Sequence, residues 1–97
     1  RTLLELTART VAQSCEGARE IYLCGGGTKN ALLLDRIGEL SHPAHVATTA
    51  ELGIDPMHVE ALAFAWLARA FFIGRPGNLC EATHARGLRV LGALYPH

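Results

Sequence analysis

The sequence predicts an α/β domain that is rich in helix, with short and mostly parallel strands, and three observations lead to that prediction. A continuous apolar run, Ile21-Tyr22-Leu23, lies between two stretches with helical periodicity. This arrangement is typical of a parallel strand that helices cover on both faces. Three glycines, Gly25 to Gly27, end that run. A second short run begins at His45, which completes a β-α-β unit with the usual right-handed crossover.

The composition limits the kind of protein. Ninety-seven residues form one small domain at most, yet 49% of them are hydrophobic and only 19% are charged. Such a surplus of apolar residues in a short chain indicates a missing partner surface. Nine basic and nine acidic residues cancel, so no electrostatic footprint for nucleic acid or an anionic membrane is predicted.

The cysteines and histidines predict no metal site. The three cysteines, Cys15, Cys24 and Cys80, are widely spaced and form no C-x-x-C pair, and the five histidines show no zinc-ligand spacing. This usage favours a reducing cytoplasm over a secreted disulfide framework. The amphipathic pattern starts directly at Arg1 with no apolar leader, and we expect this start to lie inside a longer protein.

The elements of the first half follow from periodicity and breakers. Residues 2–16 predict an amphipathic helix ended by Gly17, and Glu20 to Cys24 predicts a strand. A second helix is predicted from Asn30, with Pro43 as its stop.

The second strand is predicted over His45-Val46-Ala47-Thr48. The hydroxyls of Thr48 and Thr49 would then lie near its carboxyl end, where open α/β sheets bind ligands. Ordinary turn hydroxyls are an equal alternative.

A long helix is predicted from Asp55-Pro56 to about Ile73, with the Asp55 carboxylate as its N-cap. Residues 59–68 are apolar nearly all round, which is typical of a helix buried in a larger body and assigns Trp66 to a core. The helix is too short to span a bilayer.

Glu60 is the most informative single residue of that helix. On a helical wheel it lies opposite His58 and Arg69, on an otherwise apolar face. A carboxylate there must either lie at the helix end near a cleft or be buried and paired. The alternative is a first-turn acid that only complements the helix dipole.

The last quarter of the chain has weaker patterns. Residues 74–78 predict a turn, residues 79–86 an extended surface loop, and residues 87–95 a last short strand or a docked tail.

The glycine turn, Gly25 to Asn30, allows several interpretations. As a dinucleotide fingerprint it has Asn30 where a third glycine or an alanine belongs, although Glu51 stands about where an acid would bind the ribose. A Walker A loop is excluded, because no G-K-[ST] follows. A scaffold domain with a plain tight turn stays possible.

Five segments, in order along the chain, give the pattern a more specific meaning. They are Cys-Gly-Gly-Gly-x-x-Asn at 24–30, Thr-Thr-x-Glu-Leu-Gly-Ile at 48–54, the run at 60–68, Gly-x-Pro-Gly-Asn at 74–78 and Val-Leu-Gly-Ala-Leu-Tyr-Pro at 90–96. Together they resemble the C-terminal end of the anhydro-N-acetylmuramic acid kinase family, within the actin-like, ribonuclease H-like sugar-kinase ATPases. Residues 1–97 would then be the C-terminal segment of the second, nucleotide-binding domain of a two-domain sugar kinase.

The resemblance implies a function and a site. Family members hydrolyse the 1,6-anhydro ring of anhydro-N-acetylmuramic acid and phosphorylate O6 with ATP and Mg²⁺, in cytoplasmic cell-wall recycling, as homodimers. It implies that Gly25, Gly26, Gly27 and Asn30 line the nucleotide and that Glu60 faces the sugar. The family's phosphate loop and catalytic aspartate have no counterpart here, so we expect the chain alone to be inactive. The alternative is a Rossmann-like nucleotide-binding or interaction module without catalysis.

Overall fold

The computed structural model describes residues 2–96, and the chain divides into two compact units, Arg1–Val59 and Glu60–His97. The α/β class with parallel strands is confirmed. The helices and strands of the described residues are α1 (Thr2–Ser14), β1 (Glu20–Leu23), α2 (Ala31–Ser41), β2 (His45–Thr48), α3 (Val59–Phe72) and α4 (Cys80–Thr83).

The sheet of the first unit is a parallel pair. β1 and β2 run side by side in a register that matches Glu20 to His45 and Leu23 to Thr48, with α2 as the crossover between them. Both strands stop where the sequence pattern predicted, within one residue. Covering on both faces was also predicted for β1, but among the described residues only Ile21 of this strand is buried.

The core of the first unit is small and lies between the helices and the sheet. Ala8 of α1, Ile21 of β1 and Ile37 of α2 are its buried residues. α1 ends two residues before the predicted boundary, because residues 15–17 form a turn in which Gly17 takes a positive φ of 83°. This packing fixes both strands, and therefore the glycine turn that follows β1.

The start of α3 differs from the prediction. Residues 56–58 form a turn, in which the Asp55 carboxylate accepts a hydrogen bond of 2.8 Å from the Met57 amide. The helix itself begins at Val59. The N-cap assigned to Asp55 was therefore wrong, because its side chain closes an Asx turn ahead of the helix.

The apolar surface of α3 is exposed in the described chain. Ala70 is its one buried residue, while Leu62, Phe64 and Phe72 are more than half exposed. Trp66, assigned to a core by its neighbours, is 54% exposed. The sequence pattern does predict a helix meant for burial, and residues 2–96 do not supply what would bury it.

The tail of the second unit is held by hydrogen bonds from Gly77 and Asn78. Asn78 Nδ2 donates to the Gly87 carbonyl at 3.0 Å, and its Oδ1 accepts from the Arg89 amide at 2.6 Å. The Gly77 amide adds a third bond to the Arg89 carbonyl, at 3.0 Å. The region 87–95 is thus a docked tail rather than a strand, as one of the two alternatives predicted.

Residues 79–86 are not a fully extended loop. Cys80–Thr83 form one helical turn, closed at His84 with a positive φ of 56°. The Thr83 hydroxyl donates a hydrogen bond of 2.8 Å to the Leu79 carbonyl. This bond stabilises the helical turn, although the segment has no apolar periodicity.

Candidate functional site

The glycine turn lies where both parallel strands end. β1 stops at Leu23 beside Thr48 of β2, and Gly25 follows with a φ of 85°, a conformation that favours glycine. The Gly25 amide donates to the Pro56 carbonyl at 2.8 Å, and its carbonyl accepts from the Thr28 hydroxyl at 2.7 Å. Gly26–Lys29 then form a 3-10 turn. The turn is therefore anchored on both sides before α2 begins.

Two backbone donors in this turn are unused. The amides of Gly26 and Gly27 have no hydrogen-bond acceptor within residues 2–96, and both residues are exposed. A Cβ built on Gly26 would meet nothing within 4 Å, so backbone is approachable there. Adjacent exposed amides at the carboxyl edge of a parallel sheet can bind an oxygen-rich, anionic ligand.

Asn30 has a local structural role in the same turn. It is the N-cap of α2, and its Oδ1 accepts a hydrogen bond of 3.2 Å from the Leu33 amide. Its side-chain Nδ2 has no acceptor within the described residues. The capping bond thus leaves the amide donor as the part of Asn30 that could contact a ligand.

Two threonines at the end of β2 share this edge of the sheet. Thr48 ends the strand and Thr49 opens a second 3-10 turn, Thr49–Leu52. The Thr49 hydroxyl is buried and has no hydrogen-bond partner in the described part of the chain. The sequence pattern flagged both hydroxyls, whereas the Thr28 hydroxyl and the Pro56 carbonyl that hold the turn were missed. Thr28 could have been found from its spacing of three residues after Gly25.

Glu51, the acid at a suitable spacing for a ribose, contacts a histidine. Its carboxylate oxygens lie 2.9 and 3.1 Å from Nε2 of His45, at the start of β2. Burial, and then the charges of Glu20 and Glu51, raise the pKa of Tyr22, whose ring lies 6.2 Å from that of His45.

Glu60 is the second residue of α3 and is exposed. It forms no ion pair with another described residue. Within residues 2–96 Glu60 is therefore neither buried nor paired, and it lies in the first turn of the helix. Such a position fits both a cleft carboxylate and an acid that complements the helix dipole.

A cavity of about 760 Å³ in the first unit lies elsewhere. Its lining comes from the last turns of α1 and α2 and from the segments that lead into the strands, including Arg19 and Ala44. This is the amino edge of the sheet, whereas ligands of open α/β sheets bind at the carboxyl edge. We therefore assign the candidate site to the glycine turn, although the cavity lies at the opposite edge of the sheet.

The described residues supply no protein cage for a cation. Residues 2–96 contain no group of three histidine, cysteine, aspartate or glutamate side chains placed to hold a metal ion. No helix among these residues has the length and apolar character needed to cross a bilayer.

The fold and the site together define a broad class: α/β proteins with a glycine turn at the carboxyl edge of a parallel sheet. Comparison with known proteins narrows this class. The family model of anhydro-N-acetylmuramic acid kinase matches residues 1–97. The chain belongs to the anhydro-N-acetylmuramic acid kinase family.

Curated relatives bear the family's name. The chain is 54% identical over 99 residues to the anhydro-N-acetylmuramic acid kinase of Thiobacillus denitrificans, 52% identical over 103 residues to that of Burkholderia cenocepacia and 48% identical over 99 residues to that of Pseudomonas putida. Each match covers 98% of this chain and 27% of the relative. The chain thus spans about a quarter of the length of these proteins.

Proposed function

We propose that this chain is the nucleotide-side segment of an ATP-dependent anhydro-N-acetylmuramic acid kinase. We call the longer polypeptide, of the length of the curated relatives, the parent protein. The observation that carries the proposal is the glycine turn with two unused amides, in a chain whose family bears the name of this kinase.

The proposed reaction of the parent joins two steps on one sugar. Water opens the 1,6-anhydro ring of anhydro-N-acetylmuramic acid, and the O6 so released takes a phosphoryl group from ATP. The product is N-acetylmuramic acid 6-phosphate, an intermediate of peptidoglycan recycling in the bacterial cytoplasm. Both steps need a sugar held in a fixed orientation, since phosphoryl transfer depends on in-line geometry.

ATP would supply the phosphoryl group, and the glycine turn fits its nucleotide. Gly25 sets the path of the backbone, while the Gly26 and Gly27 amides and the Asn30 side-chain amide donate to nucleotide oxygen or nitrogen atoms. The absent side chains at Gly26 and Gly27 let the nucleotide contact backbone directly. Mg²⁺ would accompany the nucleotide; because residues 2–96 contain no cluster of acidic ligands, its ligands would be phosphate oxygens and residues of the parent outside this chain.

Glu60 is proposed as the sugar-side residue of the chain. Its exposed carboxylate can accept hydrogen bonds from sugar hydroxyls or orient the water that attacks. Activation of that water is assigned to an aspartate of the parent that lies outside this chain. The 97-residue chain alone is therefore expected to be inactive.

Three further features of the proposal follow from the family. The parent would have the actin-like, two-domain fold, with this chain as the C-terminal segment of its second domain. It would form a homodimer in the cytoplasm. None of these features is needed for the proposed role of the glycine turn.

A matched pair of glycine variants tests the site. Gly26→Ala adds a methyl group where nothing lies within 4 Å, so the fold should tolerate it while ATP is kept from the backbone. Gly38→Ala adds the same group in α2, again with nothing within 4 Å. Calorimetry on the parent should show ATP affinity at least about tenfold weaker for Gly26→Ala, a loss of about 1.4 kcal/mol, and unchanged for Gly38→Ala.

Two outcomes of the same calorimetry would contradict the proposal. Equal ATP affinity in both variants would remove the glycine turn from the site. Binding of NAD with no binding of ATP would favour a Rossmann-like module.

A second matched pair tests Glu60. Glu60→Gln keeps the volume and removes the charge, and Glu81→Gln does the same to another exposed first-turn glutamate, in α4. We expect loss of turnover with normal folding in the first variant alone. Normal kinetics with a lower melting temperature in Glu60→Gln would assign the residue to the helix dipole instead.

A further inference from the structure

The apolar surface of α3 is the feature of the chain that the proposed site leaves unexplained. We define it as the exposed large side chains of this helix, Leu62, Phe64, Trp66 and Phe72, which are between 53% and 72% exposed. Single exposed apolar residues are common, but four on one 14-residue helix form a continuous apolar surface.

These residues do not share one stripe. At 100° per residue, Trp66 lies on nearly the opposite side of the helix from Phe64, with Leu62 and Phe72 between them. The remaining side of α3 already contacts its own unit, since a Cβ on Gly77 would lie 2.8 Å from Leu67 and one on Gly92 3.3 Å from Phe71. The exposed surface therefore extends around most of the helix.

The shape of this surface decides between possible occupants. A second copy of the chain, docked through one symmetric contact, would cover one side of α3 and leave the others exposed. A membrane surface is disfavoured because no basic ring surrounds the patch: Glu60 and Arg69 are the charged residues of α3, and the whole chain has no net charge. A helix that is apolar all round is typically buried in the core of a large protein or spans a membrane, and the 14 residues of α3 are too few to span a bilayer.

We propose that the apolar surface of α3 is enclosed by other segments of the parent protein. Relatives at about half identity are nearly four times as long as this chain, since it spans 27% of their length. Such a length provides enough protein to surround a helix, and α3 becomes a central helix of the parent domain. The inference rests on family membership and not on the nucleotide site, so the two can fail separately.

The test measures thiol accessibility in the intact parent. In a background with its cysteines replaced, Ala65→Cys and Ala68→Cys place a thiol on the exposed sides of α3, and Asp35→Cys serves as the exposed control on α2. We expect labelling by a maleimide at positions 65 and 68 to be at least about tenfold slower than at position 35, at every protein concentration. Two positions are used so that one misfolded variant does not end the test.

Three outcomes would overturn the proposal. Labelling at 65 and 68 as fast as at 35 would mean that nothing covers α3. Protection that disappears on a roughly hundredfold dilution would assign the surface to a second copy. Fast labelling that slows only when neutral or anionic lipid vesicles are added would assign it to a membrane.

Discussion

Arg36 on α2 holds the carboxylate of Glu5 on α1 at two points. Its Nε lies 2.8 Å from Glu5 Oε2 and its Nη2 lies 3.0 Å from Oε1. Arg9, one turn along α1, adds a contact of 2.6 Å to the same carboxylate. Only about a third of the Glu5 and Arg36 side chains is exposed. This pair is therefore a specific link between the two helices rather than a solvent-exposed surface ion pair.

Glu5→Gln should loosen the packing of α1 on α2. The amide keeps the size of the side chain but loses the charge that both arginines bind, so we expect a lower melting temperature of the parent. The control is Glu39→Gln, which removes a single contact of 2.7 Å to Arg36 within α2, from a side chain that is 66% exposed. An effect of Glu39→Gln as large as that of Glu5→Gln would contradict a special role for the link.

The same link predicts a pH dependence. Hydrogen bonds from Arg36, and then from Arg9, lower the pKa of Glu5 from 4.5 to about 2 against the opposing effect of burial. The stabilisation is therefore complete above the unfolded value of 4.5 and is lost as the pH falls through the folded value of about 2. Melting curves of the unmodified protein and of Glu5→Gln should differ at neutral pH and converge over that range. A difference in melting temperature that stayed constant down to a pH of about 2 would exclude the Glu5 carboxylate as its source.

Variants of Asn30 separate its capping role from its proposed contact with the nucleotide. Asn30→Ala should lower the free energy of unfolding by about 1 kcal/mol, because the N-cap of α2 is lost. Asn30→Asp keeps a capping oxygen and should leave stability nearly unchanged, but it replaces the proposed amide donor with an anion. Chemical denaturation and ATP titration of both variants measure the two effects. Normal ATP affinity in Asn30→Asp would restrict the residue to capping.

The tail that follows α3 should depend on Asn78. Asn78→Ala removes two hydrogen bonds, to Gly87 and Arg89, and should cost about 1–3 kcal/mol. Faster hydrogen exchange at the Arg89 amide would report the loss directly. Asn78→Asp keeps the acceptor for the Arg89 amide and loses the donor to Gly87. We therefore expect a smaller increase in the exchange rate of the Arg89 amide than in Asn78→Ala. Identical exchange in all three proteins would show that the tail is held by other contacts.

The sequence predicted the elements of the first unit well because each one carries its own local signal. The strand at His45–Thr48 was predicted at its exact bounds, and β1 and α2 to within one or two residues. The predicted start of the second helix, Asn30, lies one residue before α2, where the residue serves as the N-cap. Order and parallel pairing then follow from the handedness of the crossover.

The errors come from contacts that no local pattern encodes. Asp55 reads as an N-cap, but whether its carboxylate binds the Met57 amide or a later one depends on the path of the backbone. Likewise, the spacing of Glu51 gave no sign that its carboxylate contacts His45. The exposure of α3 could not be predicted either, because apolar periodicity shows that a helix is to be buried but not by which part of the protein.

The two-stranded sheet has a consequence for how the site is completed. Among the described residues β1 pairs only with β2, so the outer edge of each strand has backbone groups with no strand beside them. Any strand that joins either edge in the same direction must end at the edge where Leu23 and Thr48 end. The loop after that added strand would then emerge next to the glycine turn. Growth of the sheet in the parent protein would thus bring new side chains to the glycine turn without any change in the 97 residues themselves.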